Sequence, residues 1–444
     1  MTYDNSNPDW AFETRQVHAG QPVDSDTGAR NLPIYQTTSF VFADAEQAAN
    51  RFALSEMGPI YTRITNPTVA AVEERIASLE GGVAATMFAS GQAAETAAIQ
   101  SILQAGGHVV ASPRLYGGTD ALLRHTLPKY GIETTFVENP DDPESWQAAV
   151  RPNTRAFYAE TISNPLNDVL DIPAIAEVAH RNQAPLIVDN TTATPYLVRP
   201  LELGADVVVI SATKYLGGHG SSLAGVLVDG GSFDWRAQRD GEDLYPSFTT
   251  PDPAYHGAVY ADLGAPALAL KARVTLLRDT GAAPSPFNAW AIAQGIDTLS
   301  LRVERHVANA QKIAEWLDAR SDVATVNYAG LPSSPWHANA QKISPKGAGA
   351  IITFELTSPE GASDEDLKSR AWAFIDALKL HSCLVNIGDV RSLVSHPATT
   401  THSQGTPESN AKAGVSISSI RLSVGIEAVE DIIGDLELGF AAIS

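Results

Sequence analysis

One cysteine, Cys383, and three methionines are all the sulfur that 444 residues provide. A lone thiol excludes an internal disulfide and any cysteine-built metal cluster. The ordinary expectation for Cys383 is a half-buried small residue. Charge is sparse at 18% of residues, and positive charge most of all: 30 Lys and Arg stand against 51 Asp and Glu, a formal net charge of −21. Such a balance disfavours nucleic acid or an anionic membrane as partner and favours solubility. No apolar run approaches the ~20 residues that cross a bilayer. The opening MTYDNSNPDW has neither a basic nor an apolar leader segment, which predicts a cytoplasmic protein. A hydrophobic content of 44% over this length is globular and suggests two or three domains.

The most informative stretch is VVVISATKYLGG, residues 207 to 218. A β-branched run empties into hydroxyl residues, one lysine and two glycines, which reads as a buried strand ending in a polar turn. Lys214 there stands open to two readings. It is a strand-end lysine reaching solvent, or a partly desolvated amine whose lowered pKa suits Schiff-base chemistry, with Ser211 and Thr213 placed for a phosphate. The second reading implies pyridoxal 5'-phosphate (PLP).

Upstream, strands and helices alternate. ASGQAA places Ser90, Gly91 and Gln92 at a strand-to-helix junction, where free backbone amides can bind an anion. LYGGT sets Tyr116 in a glycine-rich turn, where its ring can stack on a planar group. Glu160 and Asn164 fall at or just beyond the end of a strand read in the segment 154–165, and Asp189 closes LIVD one βαβ step before Lys214. This rhythm predicts a largely parallel sheet with helices on both faces and ligands at the strands' carboxyl ends. Asp189 is either a cap for the next turn or the carboxylate that keeps a pyridine nitrogen protonated.

Residues 1–63 have little periodicity and read as an arm that packs on another subunit. At its end Tyr61 and Arg63 stand two apart on what reads as extended chain, an Arg–Tyr pair competent to clamp a phosphate. A helix starts at Asn66-Pro67-Thr68 and stops at Gly81-Gly82. Residues 64–285 form the α/β domain, within which the pattern is lost over 229–285, as for a functional loop or lid. Residues 286–444 read as a smaller α+β domain. There Arg421 lies on a strand among apolar neighbours, paired either with an internal Asp or Glu or with a substrate carboxylate.

YTRITNPT, ASGQAA, LYGGT, AETISNP, VDNT, SATKYLGGHG, SHPATTTH and RLSVGIE together resemble, in order and spacing, the Cys/Met-metabolism PLP-dependent enzymes, the cystathionine γ-synthase-like group of fold type I. YPSFTTPDPAYHGAVY and NIGDVRSL, with Asn386 where many relatives have serine, resemble the O-acetylhomoserine sulfhydrylase branch. The resemblance implies a mostly parallel seven-stranded sheet with helices on both faces plus a smaller C-terminal α+β domain. It makes Lys214 the Schiff-base lysine, Asp189 the partner of the pyridine nitrogen, and Tyr116 the stacking ring and a second proton-transfer group. Ser90, Gly91, Gln92, Ser211 and Thr213 would hold the phosphate, with Glu160 and Asn164 also on the cofactor. Tyr61 and Arg63 would reach in from a neighbouring subunit of a homotetramer. Arg421 would bind the substrate α-carboxylate, helped by Asn164, Asn386 and Tyr61. The implied substrates are O-acetyl-L-homoserine and sulfide, in a γ-replacement that yields L-homocysteine for methionine biosynthesis. Cystathionine γ-synthase and methionine γ-lyase are the alternatives within the family, although methionine-degrading lyases tend to carry cysteine where Gly118 stands. A doubly wound nucleotide binder is the alternative outside it, but the junction lacks G-x-G-x-x-G and the chain has no P-loop.

Overall fold

The computed structural model describes residues 7–21, 23–53 and 55–443. The chain begins with two short helices, α1 (Phe12–His18) and α2 (Ala45–Phe52), of which α2 has no buried residue. Between them the backbone is irregular, and Val41, Phe52 and Met57 nearby are left exposed. Helix α3 (Pro67–Glu80) starts where sequence places it. Asn66 accepts from the Thr68 amide at 3.0 Å, proline takes the first turn, and Gly81 ends the helix at φ 80°. Tyr61 and Arg63 differ from expectation, for the chain there is a turn and not extended. The amides of Ile64 and Thr65 both donate to Tyr61 O (2.8 and 3.0 Å), and the Ile60 amide donates to Thr65 Oγ1, so the cap of α3 draws the backbone round early.

The main sheet comprises β1 (Ala84–Phe88), β2 (His108–Ala111), β3 (Glu133–Phe136), β4 (Thr154–Glu160), β5 (Leu186–Asp189), β6 (Val207–Ile210) and β7 (Gly225–Asp229), with helix α4 (Gly91–Ile102) following β1. Its order is β1-β7-β6-β5-β4-β2-β3. Strands β6, β5, β4, β2 and β3 pair parallel, and β7 alone runs opposite to its neighbours. Side chains alternate between two cores, as a pleated strand covered on both faces requires. Val208 and Val188 enter one, while Val207, Val209 and Ile187 enter the other.

The segment after β7 is not a loop throughout. It makes a small hairpin, β8 (Gln238–Arg239) with β9 (Glu242–Asp243). Trp235 then stacks on Phe248 at 4.1 Å, with Tyr245 edge-on at 5.4 Å, all within the second core. From Ala267 the chain is helical as far as Thr280. Trp235, Tyr245, Phe248, Tyr255 and Tyr260, upstream of this helical stretch, are buried, and its helical pattern is masked in sequence by the Gly- and Pro-rich stretch before it.

The second sheet has the order β10-β11-β14-β13-β12 and is built from β10 (Val323–Asn327), β11 (Ile351–Leu356), β12 (Ser382–Cys383), β13 (Leu393–Ser395) and β14 (Ser419–Ser423). It packs on helices Asp364–Ala377 and Val429–Ala441 through Phe354, Phe374 and Phe440. Cys383 is exposed and not half-buried, because the two-residue β12 is the sheet's edge. Among the described residues no helix is long and apolar enough to cross a membrane.

The two sheets meet at the turn after β6. Arg302, buried on helix Leu299–Asp318, donates to Tyr215 O (2.8 Å), Leu216 O (3.3 Å) and Gly295 O (2.6 Å). A Cβ on Gly295 would sit 2.3 Å from Gly217 O and 2.4 Å from Leu216 O. Gly295→Ala is therefore expected to cost about 2 kcal/mol or more through backbone overpacking. Urea unfolding measures this, and a loss under about 0.5 kcal/mol would show that helix and turn are free to separate.

Candidate active site

Because β1, β2, β4, β5 and β6 all point the same way, their carboxyl ends meet at one edge of the sheet. A cavity of about 160 Å³ opens there. Ser90, Tyr116, Glu160, Asp189 and Lys214 reach it from the main sheet, and Asn386 and Arg421 from the second domain.

An anion cradle forms one part of the wall. Ser90 caps α4 by accepting from the Ala93 amide at 3.2 Å, while the amides of Gly91 and Gln92 precede the first intrahelical bond. A Cβ on Gly91 would lie 2.7 Å from Ser211 Cβ, so only glycine lets the helix start approach Ser211 this closely. Thr213 completes the rim, its hydroxyl donating to Ala224 O at 3.2 Å.

Lys214 Nζ donates to Asn386 Oδ1 at 2.6 Å. Burial, aided by the positive charge of Arg421, lowers its pKa to about 8. Arg421 is 2% exposed, and burial lowers its pKa to about 10. Its Nη1 donates to Asn164 Oδ1 and its Nη2 to Asn386 O, each at 3.1 Å, and its Nε has no partner. Among the described residues no carboxylate forms an ion pair with it. The internal Asp or Glu that sequence left open is not found among the described residues, and the guanidinium lines the cavity.

The other lining is acidic. Asp189 accepts from the Thr191 amide at 2.8 Å, and burial raises its pKa. Glu160 is raised by burial and then by Asp189. Its Oε1 accepts from the Tyr116 amide and its Oε2 from the Asn164 amide at 3.1 Å, so it braces two other cavity residues through their backbones. Tyr116 is 38% exposed, and its ring lies over Gly118, where a Cβ would stand 2.5 Å from ring atom Cε1.

Tyr61 and Arg63 are not brought to this cavity. They line a separate, more open recess with Gln36, Thr37 and Thr38, the Arg63 guanidinium lying 5.5 Å from the Tyr61 ring centre. The cavity also contains residues that sequence reading missed: Glu95, Thr119, Thr191, Thr192 and Leu223. Glu95 had a legible signal, being the one acid on the alanine-rich face of α4.

A desolvated lysine at a strand end, a carboxylate buried on the neighbouring strand and free amides at a helix start define an enzyme of the lysine-linked PLP class. The residues fit that group, the clearest signs being the Gly91 and Gln92 amides, which precede the first intrahelical bond, and the buried Arg421 guanidinium, whose Nε has no hydrogen-bond partner among the described residues. A family model described as Cys/Met metabolism PLP-dependent enzyme matches residues 13–441. An O-acetyl-L-homoserine sulfhydrylase of Corynebacterium glutamicum is 64% identical over 99% of each chain. One from Leptospira meyeri is 49% identical over 96% of this chain and 95% of its own. A Campylobacter jejuni crystal structure of an O-acetylhomoserine (thiol)-lyase with a pyridoxyl-lysine phosphate superposes with a TM-score of 0.92 at 37% identity, covering 97% of this chain and all of its own. The chain belongs to the Cys/Met-metabolism PLP-dependent enzymes.

Because only the neutral amine carries a lone pair, Lys214 of the cofactor-free protein is expected to react with acetic anhydride at half its plateau rate near pH 8. Peptide mass analysis across pH 6 to 11 reads this. A midpoint above about pH 10 would mean a lysine in a water-like setting.

Proposed function

We propose that this protein is an O-acetyl-L-homoserine sulfhydrylase, replacing the acetate of O-acetyl-L-homoserine with sulfide to give L-homocysteine. The observation that carries the reading is Arg421, a buried guanidinium without a carboxylate partner, beside the lowered amine of Lys214. The Corynebacterium relative supports the choice of substrates. So does the charge of the cavity, in which the lining cations among the described residues are Lys214 and Arg421 alone. If Lys214 carries the cofactor, and the Arg63 lent by a neighbouring subunit is taken up by its phosphate, one cation remains to bind one α-carboxylate. Cysteine, as the nucleophile of a cystathionine synthase, would bring a second carboxylate with no counter-ion, whereas sulfide can enter as neutral hydrogen sulfide and brings no carboxylate.

PLP held on Lys214 supplies an electron sink that acidifies the Cα and Cβ hydrogens of an amino acid. The chain's own groups do the rest. Gly91, Gln92, Ser211 and Thr213 would bind its phosphate, Tyr116 would cover the ring, and Asp189 would keep the ring nitrogen protonated. Asn164 and Asn386 aim the Arg421 fork at the substrate carboxylate. The Lys214 amine would move the Cα proton, its Nζ steered by Asn386 Oδ1. The Tyr116 hydroxyl is the second proton-transfer group. It takes the proton of the incoming amine. Tyr61 and Arg63, outside this chain's own cavity, complete that of a neighbouring subunit in a homotetramer. The protein works in the cytoplasm, in methionine biosynthesis.

Purified protein given O-acetyl-L-homoserine with sulfide is expected to form homocysteine faster than it forms cystathionine when given cysteine. Cystathionine as the favoured product would overturn the assignment. Lys214→Ala should abolish turnover. Arg421→Lys keeps the charge but loses the fork and should raise KM for O-acetyl-L-homoserine about 10- to 100-fold.

A further inference from the structure

Three carboxyls reach the cavity, and the roles given so far account for two, Asp189 and Glu160. The third is Glu95. It lies one turn beyond Gly91 on α4, 2% exposed, among Ala94, Ala97 and Ala98. Its Oε2 accepts from Tyr158 Oη on β4 and from Thr119 Oγ1, three residues past Tyr116, each at 2.9 Å. Its Oε1 is buried without a hydrogen-bond partner among the described residues.

The charged groups that face it are all of one sign. Asp189 approaches from the end of β5, and Glu160 closes the strand that carries Tyr158. No Lys, Arg or His forms an ion pair with Glu95 among the described residues. The Tyr158 and Thr119 hydroxyls and the Gln92 side chain favour the charged form, but burial without a counter-ion and the neighbouring Asp189 carboxylate outweigh them, and the carboxyl keeps its proton. Burial first, and then the charge of Asp189, push its pKa up to about 8.

We propose that Glu95 is a positioning residue, uncharged in the working enzyme, which ties the turn carrying Tyr116 to the helix whose first amides form the anion cradle. Thr119 is the link to that turn, and Tyr158 fixes the carboxyl to the sheet. The proposal rests on the cavity being the PLP pocket and not on which sulfur nucleophile enters it.

The test compares Glu95→Gln, which keeps a carbonyl acceptor and removes the ionisable proton, with Glu95→Ala, which removes the acceptor. Both are read in the PLP-loaded enzyme by kcat, KM and thermal unfolding from pH 5 to 9. Glu95→Ala is expected to lower kcat about 30-fold with KM little changed, and Glu95→Gln to restore it to within about threefold at pH 7. In the folded wild type the carboxyl keeps its proton between about 4.5 and 8, where the unfolded chain has released it. That contribution is present below the unfolded pKa and is lost as pH rises through this window. The Tm of Glu95→Gln relative to wild type should therefore climb from pH 5 to about pH 8 and then level off. A Tm difference flat with pH, a Glu95→Gln enzyme as slow as Glu95→Ala, or full kcat in Glu95→Ala would each overturn the proposal. If Glu95→Ala does not fold, Thr119→Val removes one donor and makes the same comparison, with kcat expected to fall about fivefold.

Discussion

The cavity depends on a turn, and the turn depends on a buried guanidinium that has no acid to neutralise it. Arg302 spends its donors on the carbonyls of Tyr215, Leu216 and Gly295, and burial lowers its pKa to about 10. Carbonyl oxygens at the end of a turn need donors, and here one side chain serves the residues just past Lys214 and the helix beneath them. The lysine is thus fixed on both sides, by β6 before it and by Arg302 after it. A strand-end lysine with only the first of these constraints would be free to reach solvent.

From that fixed point the charges of the cavity sort themselves. Burial first, and then the charge of Arg421, lower the Lys214 amine toward neutrality, while the guanidinium, the more basic group, keeps its charge. Glu95, Glu160 and Asp189 are raised together, chiefly by burial, and among the described residues no ion pair with a cation offsets it. A flat ligand with an anionic group and a basic ring nitrogen suits such a lining.

Much of this was legible in sequence for a physical reason. Buried parallel strands read as β-branched runs, and whatever interrupts such a run lies at its carboxyl end, where ligands gather. Ser90, Tyr116, Asp189 and Lys214 were found that way, and Arg421 by its apolar strand neighbours. Glu95 was missed because it sits inside a helix, where strand-end reasoning does not look. The turn at Tyr61 was missed because its geometry comes from hydrogen bonds made by Thr65 and by the start of α3, and the spacing of two residues carries no trace of them. The helical stretch from Ala267 was hidden by the composition around it, and the exposure of Cys383 by the fact that an edge strand and a central one share the same letters.

Glu160 gives one oxygen to the Tyr116 amide and the other to the Asn164 amide, and the Asn164 side chain in turn receives Arg421. Ring and guanidinium therefore hang from the two ends of a single yoke. A carboxylate on Arg421 and a ring against the Tyr116 phenol would therefore both be placed by reference to one acid, and the reach of the Glu160 side chain sets the distance between them.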